Sequence, residues 1–482
     1  MSPRLASVAV VVALGALSVA VPDAARAAAP SPSASAEVIA AYSLAAPVAQ
    51  VPSGLVVRAV LPAGATCPDL VAAVPRGEGV RVRVVPMRER PAPATTAPAF
   101  DPITVCSADM PVGATGAAVG GRAVPASMPS RVERLAIFGD SGCRIVSYEV
   151  QDCANPANWP LSIISESIAA EEPDAVLFAG DFFYREDGCP AALQALCGTS
   201  PPPVTGAPFT DSAYGWIADV LLPMTPLLST VPLIVSRGNH EACYRGGNGY
   251  FLLFDPRPGT EGTCAPVSSG GGLVAADTVP SPTYAIDLPV SADRVLRLAI
   301  ADSAGGSDTK VTSYAAVQRV SYERAATLTA ERPGRESWLV THRPLYGFVS
   351  DTFATPGQPF NPWTSADQNA AAAGLLGTYD MVVSSHIHIA QSVQLPGLPG
   401  QLVMGNGGTL LDPAAGYPLP ATAPGAGYPA PSWAWVSPTF GYALATPNAQ
   451  AGSWRISMRD PAGQQFARCG LRAGSLFCTD TP

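Results

Sequence analysis

Histidine is scarce in this 482-residue chain, which has four. Charge is scarce too: Asp, Glu, Lys and Arg make up 13% of the residues, and the formal net charge is −9. Binding to nucleic acid or anionic lipid through a broad basic face is therefore excluded, while local arginines around a small anion are not. No Cys-x-x-Cys occurs, so a thiolate metal site has no framework. No Gly-x-Ser-x-Gly elbow occurs either, which disfavours a serine hydrolase. The turn Gly405-Asn406-Gly407-Gly408 lacks a following Lys-Ser/Thr and is no P-loop. There is no internal repeat.

What is present points to an exported protein with a large core. Apolar residues make up 48% of the chain, and its length suits more than one domain. Arg4, the apolar run from Leu5 to Val21, and the small-residue strings Ala25-Arg26-Ala27 and Ala27-Ala28-Ala29 read as a signal peptide over residues 1–29. Beyond it no segment is long and apolar enough to span a bilayer, so the expected location is periplasmic or extracellular, with no stable membrane span after cleavage. Ten cysteines agree with an oxidising compartment. Taken in order they suggest Cys67–Cys106, Cys143–Cys153, Cys189–Cys197, Cys243–Cys264 and Cys469–Cys478, although spacing does not fix connectivity.

The chain after the signal is Ala/Pro/Ser-rich to about Ser35 and reads as disordered. Residues 30–128 then show short apolar runs, Leu55–Val60 and Val80–Val85 the clearest. The second alternates valine with arginine, as a half-buried strand does. The expectation is a small all-β domain, a sandwich closed by Cys67–Cys106, joined near Val124–Arg131 to a second domain over residues 129–482.

That second domain repeats one pattern. The runs Leu135–Phe138, Ala175–Ala179, Leu233–Val235, Trp338–Val340 and Met381–Val383 lead respectively to Gly139-Asp140, Gly180-Asp181, Gly238-Asn239-His240-Glu241, His342 and Ser385-His386-Ile387-His388. Five buried-strand signals thus end in candidate ligands, with helix candidates at Leu161–Ala170 and Asp211–Leu222 between them. This is the grammar of an α/β protein whose site gathers at the carboxyl ends of strands. Carboxylate, amide oxygen and imidazole together suit Zn, Mn or Fe, and a pair of cations needs one carboxylate able to bridge both. The alternation His386-x-His388 puts both rings on one side of an extended segment.

These five strings, in this order, resemble the calcineurin-like metallophosphoesterase superfamily over about residues 131–450. The resemblance implies a four-layer domain of central β-sheets flanked by helices. It implies that Asp181 bridges two metals, that Asp140 and His388 hold the first, and that Asn239, His342 and His386 hold the second. His240 would lie beside the scissile phosphate as acid or electrostatic stabiliser, oriented by Glu241, and a hydroxide between the metals would attack phosphorus. Tyr184, three residues after Asp181, stands where purple acid phosphatases carry an iron-ligating tyrosine. That implies Fe paired with Zn, Mn or Fe, with a Mn or Zn pair as the alternative. Two departures stand out: Ser385 replaces the usual glycine, and Tyr346-Gly347-Phe348, with no spare histidine, stands after His342-Arg343-Pro344 where purple acid phosphatases usually carry further histidines.

Among the arginines near these strings, Arg185 is the best candidate for a phosphate contact; Arg144, Arg237 and Arg245 read as surface or ion-paired residues. Asp302 reads as a strand-end turn. The expected function is an exported dinuclear-metal hydrolase of small phosphate monoesters. A phosphodiesterase or nucleotide hydrolase on the same site is one alternative, and a non-catalytic exported metal-containing binding protein is another. The oligomeric state is not legible.

Overall fold

The runs Leu135–Phe138, Ala175–Phe178 and Leu233–Val235 are neighbouring parallel strands, buried on both faces. Their side chains alternate between two cores, as the two-residue period of a strand requires. Ala136, Phe138, Val176, Phe178, Leu233 and Val235 face a helical layer. Leu135, Ile137, Ala175, Leu177 and Ile234 face a second sheet. A buried aliphatic or aromatic side chain stabilises the fold by about 1.5–3 kcal/mol, which makes this double-sided burial the main force positioning the strand ends.

The computed structural model describes residues 37–90, 97–198, 210–257, 264, 280–330, 336–354, 360–413 and 418–481. The expected signal peptide and the disordered start at residues 30–36 lie outside the described residues. Among those described, the first sheet has 11 strands and the second has 7. Glu336–Val340 and Met381–Ser384 lie side by side and parallel in the second. Its outer face packs against the helices Tyr314–Ala330 and Ala366–Ala372 through Tyr322, Leu339, Ala371 and Val382. The outer face of the first sheet carries Leu161–Ala170, Ala213–Trp216 and Gly247–Leu253. The result is the expected layering, two sheets between two helical layers.

The amino-terminal segment has a core of its own, around Val57, Ala59, Leu70 and Ala72, yet its strands also extend the central sheet. Ala40–Ala45 pairs in parallel with Leu233–Val235, and Leu55–Pro62 and Ile103–Asp109 continue the same large sheet. Tyr42 and Leu44 share the core of Phe138 and Phe178. Among the described residues, Asp69–Arg76, Gly79–Pro86, Gly116–Val119 and Arg122–Val124 form a separate four-stranded sheet. An apolar strand in sequence does not reveal which sheet it will join, and here the longest apolar strands extend the central one.

All ten cysteines are bridged: Cys67–Cys106, Cys143–Cys153, Cys189–Cys197, Cys243–Cys264 and Cys469–Cys478. Among the described residues no helix is long and apolar enough to cross a membrane.

Candidate metal centre

The five strand ends converge. Asp140, Asp181 and His386 all have positive φ, at 55°, 57° and 74°. Non-glycine residues rarely adopt this conformation, and it collects at functional sites where the surroundings over-determine it. Two glycines make room for these turns. A Cβ on Gly180 (φ 100°) would lie 2.7 Å from Nδ1 of His342, and one on Gly238 would lie 2.1 Å from Oδ1 of Asp181.

Asp181 stands between two groups of donors. Its Oδ2 lies 3.0 Å from the Tyr184 hydroxyl and 3.0 Å from Nε2 of His342. On one side the Tyr184 hydroxyl donates to Oδ1 of Asp140 at 2.7 Å and meets Nε2 of His388 at 3.0 Å. On the other, Nε2 of His342 lies 3.0 Å from Oδ1 of Asn239. Ligand atoms of Asp181, His342 and His386 all fall within 4.8 Å of one another.

The tautomers suit cation binding. Nδ1 of His342 faces the Ala179 carbonyl at 3.0 Å, and Nδ1 of His388 faces the Leu410 carbonyl at 2.9 Å. A carbonyl can only accept, so each Nδ1 carries the proton and each Nε2 presents a lone pair inward. Among the described residues His342 Nε2 then faces only acceptors, the oxygens of Asn239 and Asp181. Two fully buried carboxylates also share the site. Burial, then the charge of Asp181, pushes the Asp140 carboxyl well above its ordinary range. Burial works to raise Asp181 as well, but His342 and His240, when they carry charge, hold it well below. Lone pairs and like charges converging in a buried space are what two bound cations relieve, so these residues fit a metal pair.

His240 lies at the edge of this cluster. Its backbone N–H donates to Oδ1 of Asp181 at 2.7 Å, and its ring stacks obliquely on Tyr184 with centroids 3.8 Å apart. Glu241 does not orient it. The Glu241 carboxylate accepts instead from the backbone N–H groups of Asp181, Phe182, Phe183 and Gly238 at 2.8–3.1 Å. It therefore clamps the turn that carries Asp181, and burial followed by the charge of Asp181 pushes it up to about 8. The acid that holds the His240 ring is Glu186, 2.7 Å from Nδ1 and itself paired with Arg245. Burial, then Arg245, lowers His240 to about 4.

Arg185 also departs from expectation. It points into the core, with Nε 3.1 Å from Asp219, Nη1 donating to the Cys197 carbonyl and its guanidinium over the Trp159 ring. Arg237 pairs with Asp302, whose other oxygen accepts from Ala304 N, a strand-end role. Ser385 donates to the Ala179 carbonyl and lies 2.9 Å from Nδ1 of His342, holding that ring rather than joining the cluster. Sequence reasoning missed Asp308, whose Oδ1 is 3.2 Å from Nε2 of His386 and paired with Arg343, and Asp412, which accepts from the backbone of His388. Neither belongs to a motif string. The cluster opens into a cleft of about 680 Å³, walled by Val349, Phe353, Phe360 and Trp363, with Lys310 also lining it.

The calcineurin-like phosphoesterase family model matches residues 134–390, more than half the chain. The chain belongs to this family and is a metal-dependent phosphoric ester hydrolase. Membership implies a dinuclear metal centre. Among solved structures, the purple acid phosphatase PPD1 from yellow lupin (Lupinus luteus) seeds is similar at 15% identity and a TM-score of 0.53, covering 92% of this chain and 73% of that one. A structure of PhoD is similar at 11% identity and a TM-score of 0.52, covering 94% of both chains. At these identities the likeness is one of fold. No curated protein matches the chain.

Proposed function

We propose that the protein is an exported phosphatase that hydrolyses small phosphate monoesters at two metals. The observation that carries the reading is the position of Asp181, whose Oδ2 stands 3.0 Å from donors on either side. Asp140, Tyr184 and His388 would hold one metal, and Asn239, His342 and His386 the other, with Asp181 shared. A bound metal pair supplies Lewis acidity, which acidifies water and offsets charge on phosphoryl oxygens. Iron paired with Zn, Mn or Fe suits the phenol of Tyr184; a Mn or Zn pair would not need it.

The protein's own groups do the rest. His240, held by Glu186, faces the cluster and supports the leaving oxygen. The backbone N–H of His240 keeps the bridging carboxylate oriented. Lys310 at the cleft favours an anionic substrate. Five disulfides and the amino-terminal leader pattern support export.

The test compares hydrolysis of para-nitrophenyl phosphate and bis-para-nitrophenyl phosphate by the protein loaded with Fe, Zn or Mn, with Asp181→Ala as control. A monoester preference, with loss of both turnover and metal in the variant, supports the reading. A diester preference transfers the function to phosphodiesterase. Lost activity with full metal content refutes the bridging role of Asp181.

A further inference from the structure

The alternating segment Gly79–Pro86 has an unexpected orientation. Among the described residues it is the edge strand of the four-stranded sheet, paired only with Asp69–Arg76. Alternation of valine and arginine normally puts the valines against the core. Here the register is the reverse. Arg83 lies opposite the fully buried Ala72, and Arg81 opposite Val74, so the arginines share the core-facing side. Val80, Val82 and Val84 face outward at 66%, 61% and 57% exposure, beside Val71 at 42%. Both arginines are exposed, and among the described residues neither is in an ion pair.

Long, straight, apolar edge strands are normally short, bulged, proline-blocked or covered, because their free N–H and C=O groups recruit other strands. This one runs eight residues with proline only at its end. We propose that the edge of Gly79–Pro86 is a docking site for an extended segment of another protein, which adds as a further strand and alternates apolar with acidic residues. Its apolar side chains continue the outward valine row, and its carboxylates meet Arg81 and Arg83. The argument for this occupant is charge complementarity in register. A second copy of the chain fits less well: in the antiparallel registers centred on residues 81 to 83, which keep the valine faces together over the most residues, an arginine stands opposite an arginine, and like charges directly opposite are destabilising.

The test uses three synthetic octapeptides: valine alternating with glutamate, valine alternating with lysine, and the glutamate peptide rearranged into apolar and acidic blocks. Binding to the purified protein is followed by fluorescence anisotropy, and amide exchange over residues 79–86 is read in parallel. The expected result is that the alternating glutamate peptide binds about tenfold more tightly than either other peptide and slows exchange in that strand. The preference should switch to the lysine peptide in the double variant Arg81→Glu, Arg83→Glu. Turnover of para-nitrophenyl phosphate by that variant should stay unchanged, which reports an intact fold. Equal affinity for the three peptides, no binding in the millimolar range, or a preference that survives charge reversal overturns the proposal. Self-association abolished by Val82→Pro would also overturn it, in favour of a second copy.

Discussion

Oδ1 of Asp308 lies 3.2 Å from Nε2 of His386 and is held there by Arg343. A carboxylate on one ring nitrogen fixes the proton on that side and leaves the other nitrogen to bind metal, and losing such a partner typically costs 10–100-fold in affinity. Asp308→Asn should therefore release metal about 10–100-fold more readily on titration with a chelator, with unchanged thermal unfolding of the metal-free protein. Wild-type retention would remove Asp308 from the site.

Tyr184 touches Asp140, Asp181 and His388 through one oxygen. Burial and both carboxylates push this phenol well above its ordinary range, so only a strongly Lewis-acidic cation would bind it as phenolate. The iron-loaded protein should show a visible phenolate-to-iron absorption band. Tyr184→Phe should lose the band while keeping its metal; a band that persists would show that the tyrosine is not a ligand.

His240 is held by Glu186, 2.7 Å from its Nδ1. If it assists the leaving oxygen, His240→Asn should slow alkyl phosphates, which leave poorly, by about 10²–10⁴-fold. Para-nitrophenyl phosphate, which leaves readily, should be slowed far less. An equal loss on both substrates would mean that His240 only binds or packs.

The Glu241 carboxylate accepts from four backbone N–H groups around the Asp181 turn. In Glu241→Gln an amide would confront those donors with hydrogens of its own. Leaving buried donors unsatisfied costs about 1–3 kcal/mol, and denaturant midpoints should fall accordingly. A neutral substitution would mean that the clamp is dispensable.

Asp211 accepts from Trp216 Nε1, from Asn248 N and Nδ2, and from Gly249 N at 3.0–3.1 Å. Burial nevertheless pushes it up from an ordinary 3.8 to about 6. Between those values the folded chain binds the proton more readily than the unfolded chain. The stability this carboxyl contributes is thus fully present below pH 3.8 and is lost as the pH rises through about 6. The stability difference between wild type and Asp211→Asn should shrink across that window in denaturant titrations. A difference that does not vary with pH would rule out the shift.

The turns that carry the clustered residues were legible because each follows a short apolar run, and a strand buried on both faces has little freedom about where it ends. That is why Asp140, Asp181, Asn239, His342, His386 and His388 appear together both in the motif strings and in the folded cluster. Their second partners were not legible. Glu186 and Asp308 reach their histidines across the fold from positions with no pattern of their own, and Arg185 and Glu241 turned to other partners.

The sequence by itself determined the cluster's chemistry and its place at strand ends, because residue type and two-residue periodicity are local properties. Only the tertiary structure decided which acid holds which imidazole. It alone placed the amino-terminal strands in the central sheet and turned the valines of Gly79–Pro86 outward. Each of these depends on contacts between segments far apart in the chain, and a one-residue choice of face or register, invisible in composition, reverses it.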